Sequence, residues 1–216
     1  MNPSVRIRPA RWADRQGVAT LIADALHPSP LAAWLVPDPE SRRQVLTDVA
    51  VIWVEHALFF GDVHLTDDLA AATVGFHRYR PVPPPASYAA RLLDAAGAYS
   101  DRFTALEGAL GQKQPTEPHY HLAFLAVRTA YQRGGRGSAL LAHHRARLDR
   151  IDLPSWTAVT AGAEHLLARH GYAPRPPVAV PDGPSLCPMR RNSRCAEPLP
   201  NNSVQPIGNR RQDQHA

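Results

Sequence analysis

The sequence predicts an α/β layered domain, a mixed β-sheet with helices on both faces. Three observations predict it. Segments of strand and helix period alternate along most of the 216 residues. The run 119–127 ends in a stretch apolar enough for a buried strand. That run then passes through a glycine-rich turn straight into a helical pattern.

Taken in order, residues 5–8 alternate as a short edge strand closed by Pro9. Residues 13–26 form a helix, because Val18, Leu21, Ile22, Ala25 and Leu26 fall on one face. His27-Pro-Ser-Pro breaks it. Asp38 caps a second helix, with Pro39 at its first position and an apolar stripe of Val45, Val49, Ile52, Trp53 and His56. Gly61 ends it, and 62–66 and 70–79 read as two strands around Asp67-Asp68. The proline run 81–85 leaves the sheet. Residues 87–110 are alanine- and leucine-rich and helical, with a break expected at Gly97. After a linker at 115–118 come the strand 119–127, the turn 128–137 and a helix from Ser138 to about Arg150. Residues 156–160 form a strand, 164–170 a short helix stopped by Gly171, and 178–180 with 186–190 a closing hairpin. A domain over 1–191 is expected, followed by a disordered tail over 192–216, where the composition turns polar and aperiodic.

Composition narrows the classes. Apolar residues make up 44% of the chain, enough for a real core. The net charge is +5 and almost all of it is arginine, since Lys113 is the only lysine. No helix-turn-helix, zinc finger or aromatic stacking platform accompanies that charge, so nucleic acid is not an expected partner. No apolar h-region or run of about 20 apolar residues is present, so neither export nor a membrane span is expected, and the reading is cytoplasmic. Cys187 and Cys195 fit no zinc spacing and read as free thiols.

The turn Gln132-Arg-Gly-Gly-Arg-Gly is the chemical centre of the sequence. Gly134, Gly135 and Gly137 permit positive φ and close backbone approach, so consecutive amides can converge on one anion. The helix behind them adds its positive end. Arg133 and Arg136 supply mobile positive charge, and Ser138 a hydroxyl. A P-loop is excluded by the missing lysine, and a dinucleotide fold by glycine spacing and position.

These residues resemble the Gln/Arg-x-x-Gly-x-Gly/Ala signature of the GNAT superfamily of N-acetyltransferases, in its usual place between strand and helix. The resemblance runs from Val5 to Arg190. It includes the segment 5–14 and Arg169-His-Gly-Tyr, and residues 117–141 and 180–189 are similar to puromycin N-acetyltransferases. It implies a three-layer fold whose mixed sheet splays at the central strands, with acetyl-CoA as donor. The backbone of Leu125, Ala126 and Val127 would bond the pantetheine arm, and residues 132–138 the pyrophosphate. The acceptor would be a small-molecule primary amine, and a homodimer is left open.

An attacking amine must be neutral, so the site needs a proton acceptor. Family members often carry a carboxylate six residues before the equivalent of Val127, and here that position is His121. His119 lies on the same strand face by alternation. The family's usual tyrosine acid is replaced by Leu167, with Tyr172 and Tyr131 as nearby substitutes, and Ala158 stands where relatives often have glutamate. The loss leaves a catalytically idle acyl-CoA-binding relative as the alternative. His143 and His144 are adjacent on a helix, point apart, and define no metal site. Trp34, Trp53, Phe59 and Phe60 are expected in the core or lining an acceptor pocket, whose specificity would come from 27–45 and 81–118.

Overall fold

The computed structural model describes residues 5–160 and 162–194. Residues 195–216 of the expected tail, and Cys195, lie outside the described residues; Cys187 is a free, half-buried thiol. The strands are β1 (Ile7–Pro9), β2 (Gly61–Thr66), β3 (Ala71–Arg78), β4 (His119–Val127), β5 (Ser155–Val159), β6 (Ala173–Pro174) and β7 (Cys187–Arg191). They form one sheet in the order β1-β2-β3-β4-β5-β7-β6. Every neighbour is antiparallel except β4 and β5, so the sheet is mixed, as expected. The expected hairpin shrinks to one bridge, Val178↔Leu186, because β7 pairs instead with β5 and β6.

The helices are α1 (Arg15–Leu26), α2 (Pro30–Leu35), α3 (Pro39–Phe60), α4 (Tyr88–Ala96), α5 (Ser100–Gly111), α6 (Arg136–Arg150) and α7 (Glu164–Ala168). Asp38 caps α3 by accepting from the amides of Glu40 and Ser41. Helix α2 was not anticipated. Its signal is the pair Ser29-Pro30: the serine hydroxyl accepts from the Ala32 amide, and proline occupies the first turn. Glycine 97, at φ +52°, separates α4 from α5 where the break was expected.

Helices α1 and α3 cover one face of the sheet through Val18, Leu21, Ile22, Ala50 and Val54 against Val63, Leu65, Val74 and Phe76. Helices α6 and α7 cover the other through Leu141, Leu148 and Leu167. Phe59 and Phe60 are not in the core: they are 73% and 50% exposed, because they lie on the last turn of α3 beyond the sheet edge. Phe59 packs on the ring of Trp12, 5.6 Å between centres.

Against α6 lies a polar cluster whose ion pair is half-buried and whose His64 and His144 are buried. Arg147 bonds Asp62 at 2.9 Å, and His77 approaches the same carboxylate at 2.8 Å. Burial works to raise the Asp62 carboxyl, but those two partners outweigh it and hold it at about 2. His64, next to His143, is pushed down to about 4, and His144, against Tyr120 and Ser155, to about 3. Burial is the main cause in both, with the Arg147 charge adding to it. Both imidazoles are therefore neutral in the fold. Above pH 6.5 they are neutral in the unfolded chain too, and contribute no pH dependence. Below 6.5 the unfolded chain takes up protons that the fold refuses, so stability falls until the folded values are reached. The urea midpoint should drop steadily from pH 7 to pH 5, each histidine withdrawing about 1.4 kcal/mol per pH unit below its ordinary value. His144→Gln, which cannot titrate, should flatten that dependence; an unchanged slope would contradict the assignment.

Candidate active site

Strand β4 joins two half-sheets. On one side it pairs with β3 along its length, from Arg78↔His119 to Ala71↔Val127. One extra β4 residue, Ala123, bulges between the pairs Gly75↔Leu122 and Val74↔Phe124. On the other side it pairs with β5 only at Tyr120↔Ser155 and His121↔Trp156. Strand β5 is instead committed over its whole length to β7, from Ser155↔Arg191 to Val159↔Cys187. From Leu122 to Val127 the two strands therefore part. By alternation from Arg128, whose amide donates to Ala70 of the β3 side, the backbone groups of Leu125 and Val127 face β5 and are left without a sheet partner, whereas those of Ala126 face β3.

The gap opens a cavity of about 560 Å³. Its walls are the strand edges 122–126 and 157–160, with α1, α2, α3 and α5 beyond them. Both segments expected to set acceptor specificity reach it, through Leu31 and Leu35 of α2 and through Phe103, Leu106 and Glu107 of α5. Trp53 lines it, whereas Trp34, half-buried, packs against the apolar cluster that includes Leu35, Phe103 and Val180.

At the far end of β4 lies the glycine turn. Helix α6 begins at Arg136, two residues earlier than expected. Among the described residues, the amides of Gly135, Arg136, Gly137 and Ser138 donate to no carbonyl, whereas Ala139 donates to Gly135 at 2.9 Å. Positive φ falls on Gly135 at +82° and on Arg133 at +61°, not on Gly134 or Gly137. Gly137 serves another end: a Cβ there would stand 3.2 Å from Leu166 and 3.3 Å from Val127, so its smallness lets α6 approach the end of β4. Gln132 reaches back to donate to the Val127 carbonyl at 3.2 Å.

The charges differ from expectation. Arg136 is not mobile: its guanidinium bonds Asp68 at 2.8 Å and lies 4.2 Å from the Tyr131 ring. Hydrogen bonds from Thr66 and then Arg136 hold the Asp68 carboxyl at about 2. Arg133 is exposed and meets no acidic partner among the described residues. The Ser138 hydroxyl is 2.6 Å from Nε2 of His170, whose buried Nδ1 has no partner. His170 escaped sequence reading because only the fold brings α7's end to the start of α6. The turn is thus a cluster of four free amides, a helix positive end and one free guanidinium, suited to a phosphate group.

At the opposite end of β4, His121 borders the cavity beside Trp156, ring centres 5.0 Å apart. Protein atoms enclose it on every side but the cavity. That burial, then the charges of Arg78 and His119, push it down to about 3. It is therefore a neutral imidazole rather than one poised near 6.5. The Gln114 amide nitrogen sits 3.2 Å from Nδ1. A side-chain amide can donate to Nδ1 or, turned over, accept from it, so it serves either tautomer. His119 is further from use: Nδ1 is bonded to the Glu117 carbonyl at 2.8 Å, Nε2 is buried without a partner, and the ring does not line the cavity.

The two candidate tyrosines do not substitute for Leu167, which is itself buried in the core. Tyr172 is buried, donates to Ser155 at 2.7 Å, and is pushed up by burial. Tyr131 lies on the exposed turn against Arg136. No tyrosine lines the cavity among the described residues.

No family model matches the sequence, and no curated protein matches it. Solved structures do share the fold. One is described as histone acetyltransferase HPA2 and related acetyltransferase, from Corynebacterium glutamicum: TM-score 0.69, 22% identity, covering 88% of this chain and 97% of that one. Another is arylalkylamine N-acetyltransferase 2 from Aedes aegypti: TM-score 0.56, 11% identity, 88% and 99% covered. A third is a GCN5-related N-acetyltransferase from Rhodopseudomonas palustris: TM-score 0.51, 14% identity, 89% and 98% covered. The chain has the GNAT acetyltransferase fold: a mixed seven-stranded sheet, covered on both faces, that splays between its parallel central strands.

Proposed function

We infer that this chain is an acetyl-CoA-dependent N-acetyltransferase acting on a primary amine of a small molecule, with the catalytic domain over residues 1–191. The observation that carries the reading is the parting of β4 from β5 beside four unpaired amides. The resemblance to puromycin N-acetyltransferases in 117–141 and 180–189 favours that subgroup. A cytoplasmic setting is part of the proposal; among the described residues no helix is long and apolar enough to cross a membrane.

The residues present fit the donor. The turn 132–138 would hold the diphosphate, with Arg133 as its mobile cation. The β5-facing backbone of Leu125 and the amide of Val127 would pair with the pantetheine arm in place of a strand, with Ala126, turned towards β3, setting the spacing between them. Bound acetyl-CoA supplies an activated thioester carbonyl. Of the two candidate amides, Ala126 and Val127, only that of Val127 is on the open side of the strand, and it would receive the carbonyl oxygen as it gains charge. His121 would take the proton that the attacking nitrogen loses as the C–N bond forms and the C–S bond breaks. With no tyrosine at hand, sulfur leaves as thiolate, a tolerable leaving group.

One observation favours a second reading, a binding protein that turns over poorly. An imidazole held at about 3 is a weak base, and the acid is missing. Such a protein binds coenzyme A but releases none from acetyl-CoA across a broad amine panel.

Two outcomes are expected. Gly135→Val forces a β-branched residue into positive φ at the helix mouth and should weaken coenzyme A binding at least tenfold by calorimetry. Unchanged affinity in the folded variant would sink the donor site. Because His121 is neutral throughout the physiological range, kcat/KM should rise with pH along the acceptor amine's own titration, with no limb near 6.5. His121→Phe should lower kcat while leaving coenzyme A affinity intact; a histidine-like limb in the native profile would show that His121 keeps its ordinary basicity.

A further inference from the structure

Two side chains on the cavity wall are of acidic or strongly basic types, Glu107 and Arg78. Glu107 is already engaged: the Tyr88 hydroxyl donates to its Oε1, Trp53 also bonds it, and burial raises its pKa towards the neutral form. Arg78 is not. It is the last residue of β3, opposite His119, with its guanidinium 5.7 Å from the ring of Phe76. Its Nε is buried without a hydrogen-bond partner. Among the described residues no carboxylate forms an ion pair with Arg78, and burial alone shifts its pKa, downwards. A partly desolvated guanidinium without an anion is costly to keep, and a mere wall position would be filled better by an apolar residue.

We propose that Arg78 is the anchor for a carboxylate on the acceptor, so that the acceptors are apolar amines that also carry a carboxylate, as amino acids with apolar side chains do. The proposal rests on reading this cavity as the acceptor site. A single planar guanidinium matches one carboxylate bidentately. A phosphate dianion would call for a second cation, and no other arginine or lysine lines the cavity among the described residues. The remaining wall is apolar, with Leu31, Leu35, Trp53, Phe103 and Leu106 able to take a side chain of moderate size. The placement also suits the chemistry. The charge of Arg78 is felt at His121, so a carboxylate held there brings an amine one carbon away towards the proposed base.

The test uses probes that need no turnover. Binding of 3-phenylpropionate and of 3-phenylpropan-1-ol is measured by calorimetry on the native protein and on Arg78→Gln, with coenzyme A affinity as the check that the variant is folded. The expected result is a preference of at least tenfold for the carboxylate in the native protein, reduced to less than twofold in Arg78→Gln. Equal affinity for the two probes in the native protein, binding of neither, or a preference that survives in Arg78→Gln would overturn the proposal. Loss of coenzyme A binding by the native protein would instead overturn the donor site and leave the carboxylate result readable. With turnover, the same contrast should appear as a higher kcat/KM for phenylalanine than for phenethylamine, lost in Arg78→Gln.

Discussion

Everything at this site depends on β4 having more backbone than its neighbours can satisfy. Strand β3 takes one edge along its length, but β5 takes only two residues of the other before turning to β7. A strand edge at the centre of a sheet, next to an apolar cavity, is a place for something shaped like a strand. An extended chain with its own amides meets that requirement. The bulge at Ala123 interrupts the ladder with β3 in this stretch, and the small residue Gly137 lets α6 approach the end of β4.

The site is polarised along this one strand. At the Val127 end stand free amides, a helix positive end and Arg133. At the His119 end stand two imidazoles, Gln114 and Arg78. Between them the wall is nearly all apolar. Such an arrangement orients a long ligand with a phosphate head, since the cluster of unpaired backbone amides is at the Val127 end. It also lowers the basicity of His121, because the same burial that excludes water disfavours imidazolium.

Much of the fold was legible because its signals are local. Asp38-Pro39 announces α3, Gly97 the break before α5, and the glycine turn the passage from β4 to α6. The turn reading went astray in detail where local rules compete with packing. Gly137 provides the expected close approach, to side chains of Val127 and Leu166, without positive φ, and Arg136 suggested mobile charge but is tied to Asp68, 68 residues away in sequence. The short α2 was missed because Ser29-Pro30 stands inside a segment whose prolines read as a breaker. Phe59 and Phe60 were expected inside because composition does not reveal where a helix outruns the sheet. Arg78, Glu107 and His170 could not be found from sequence, since each matters through neighbours supplied by distant elements. His121 was found by its position on β4, but its neutrality follows from burial that no local pattern records.

The central claim is that the unpaired edge of β4 and the amides of the glycine turn receive one ligand, coenzyme A. Amide hydrogen exchange, followed by mass spectrometry with and without saturating coenzyme A, reads those groups directly. The account predicts slower exchange in the segments 123–127 and 133–138 together. Binding of coenzyme A that leaves exchange in both segments unchanged would contradict it.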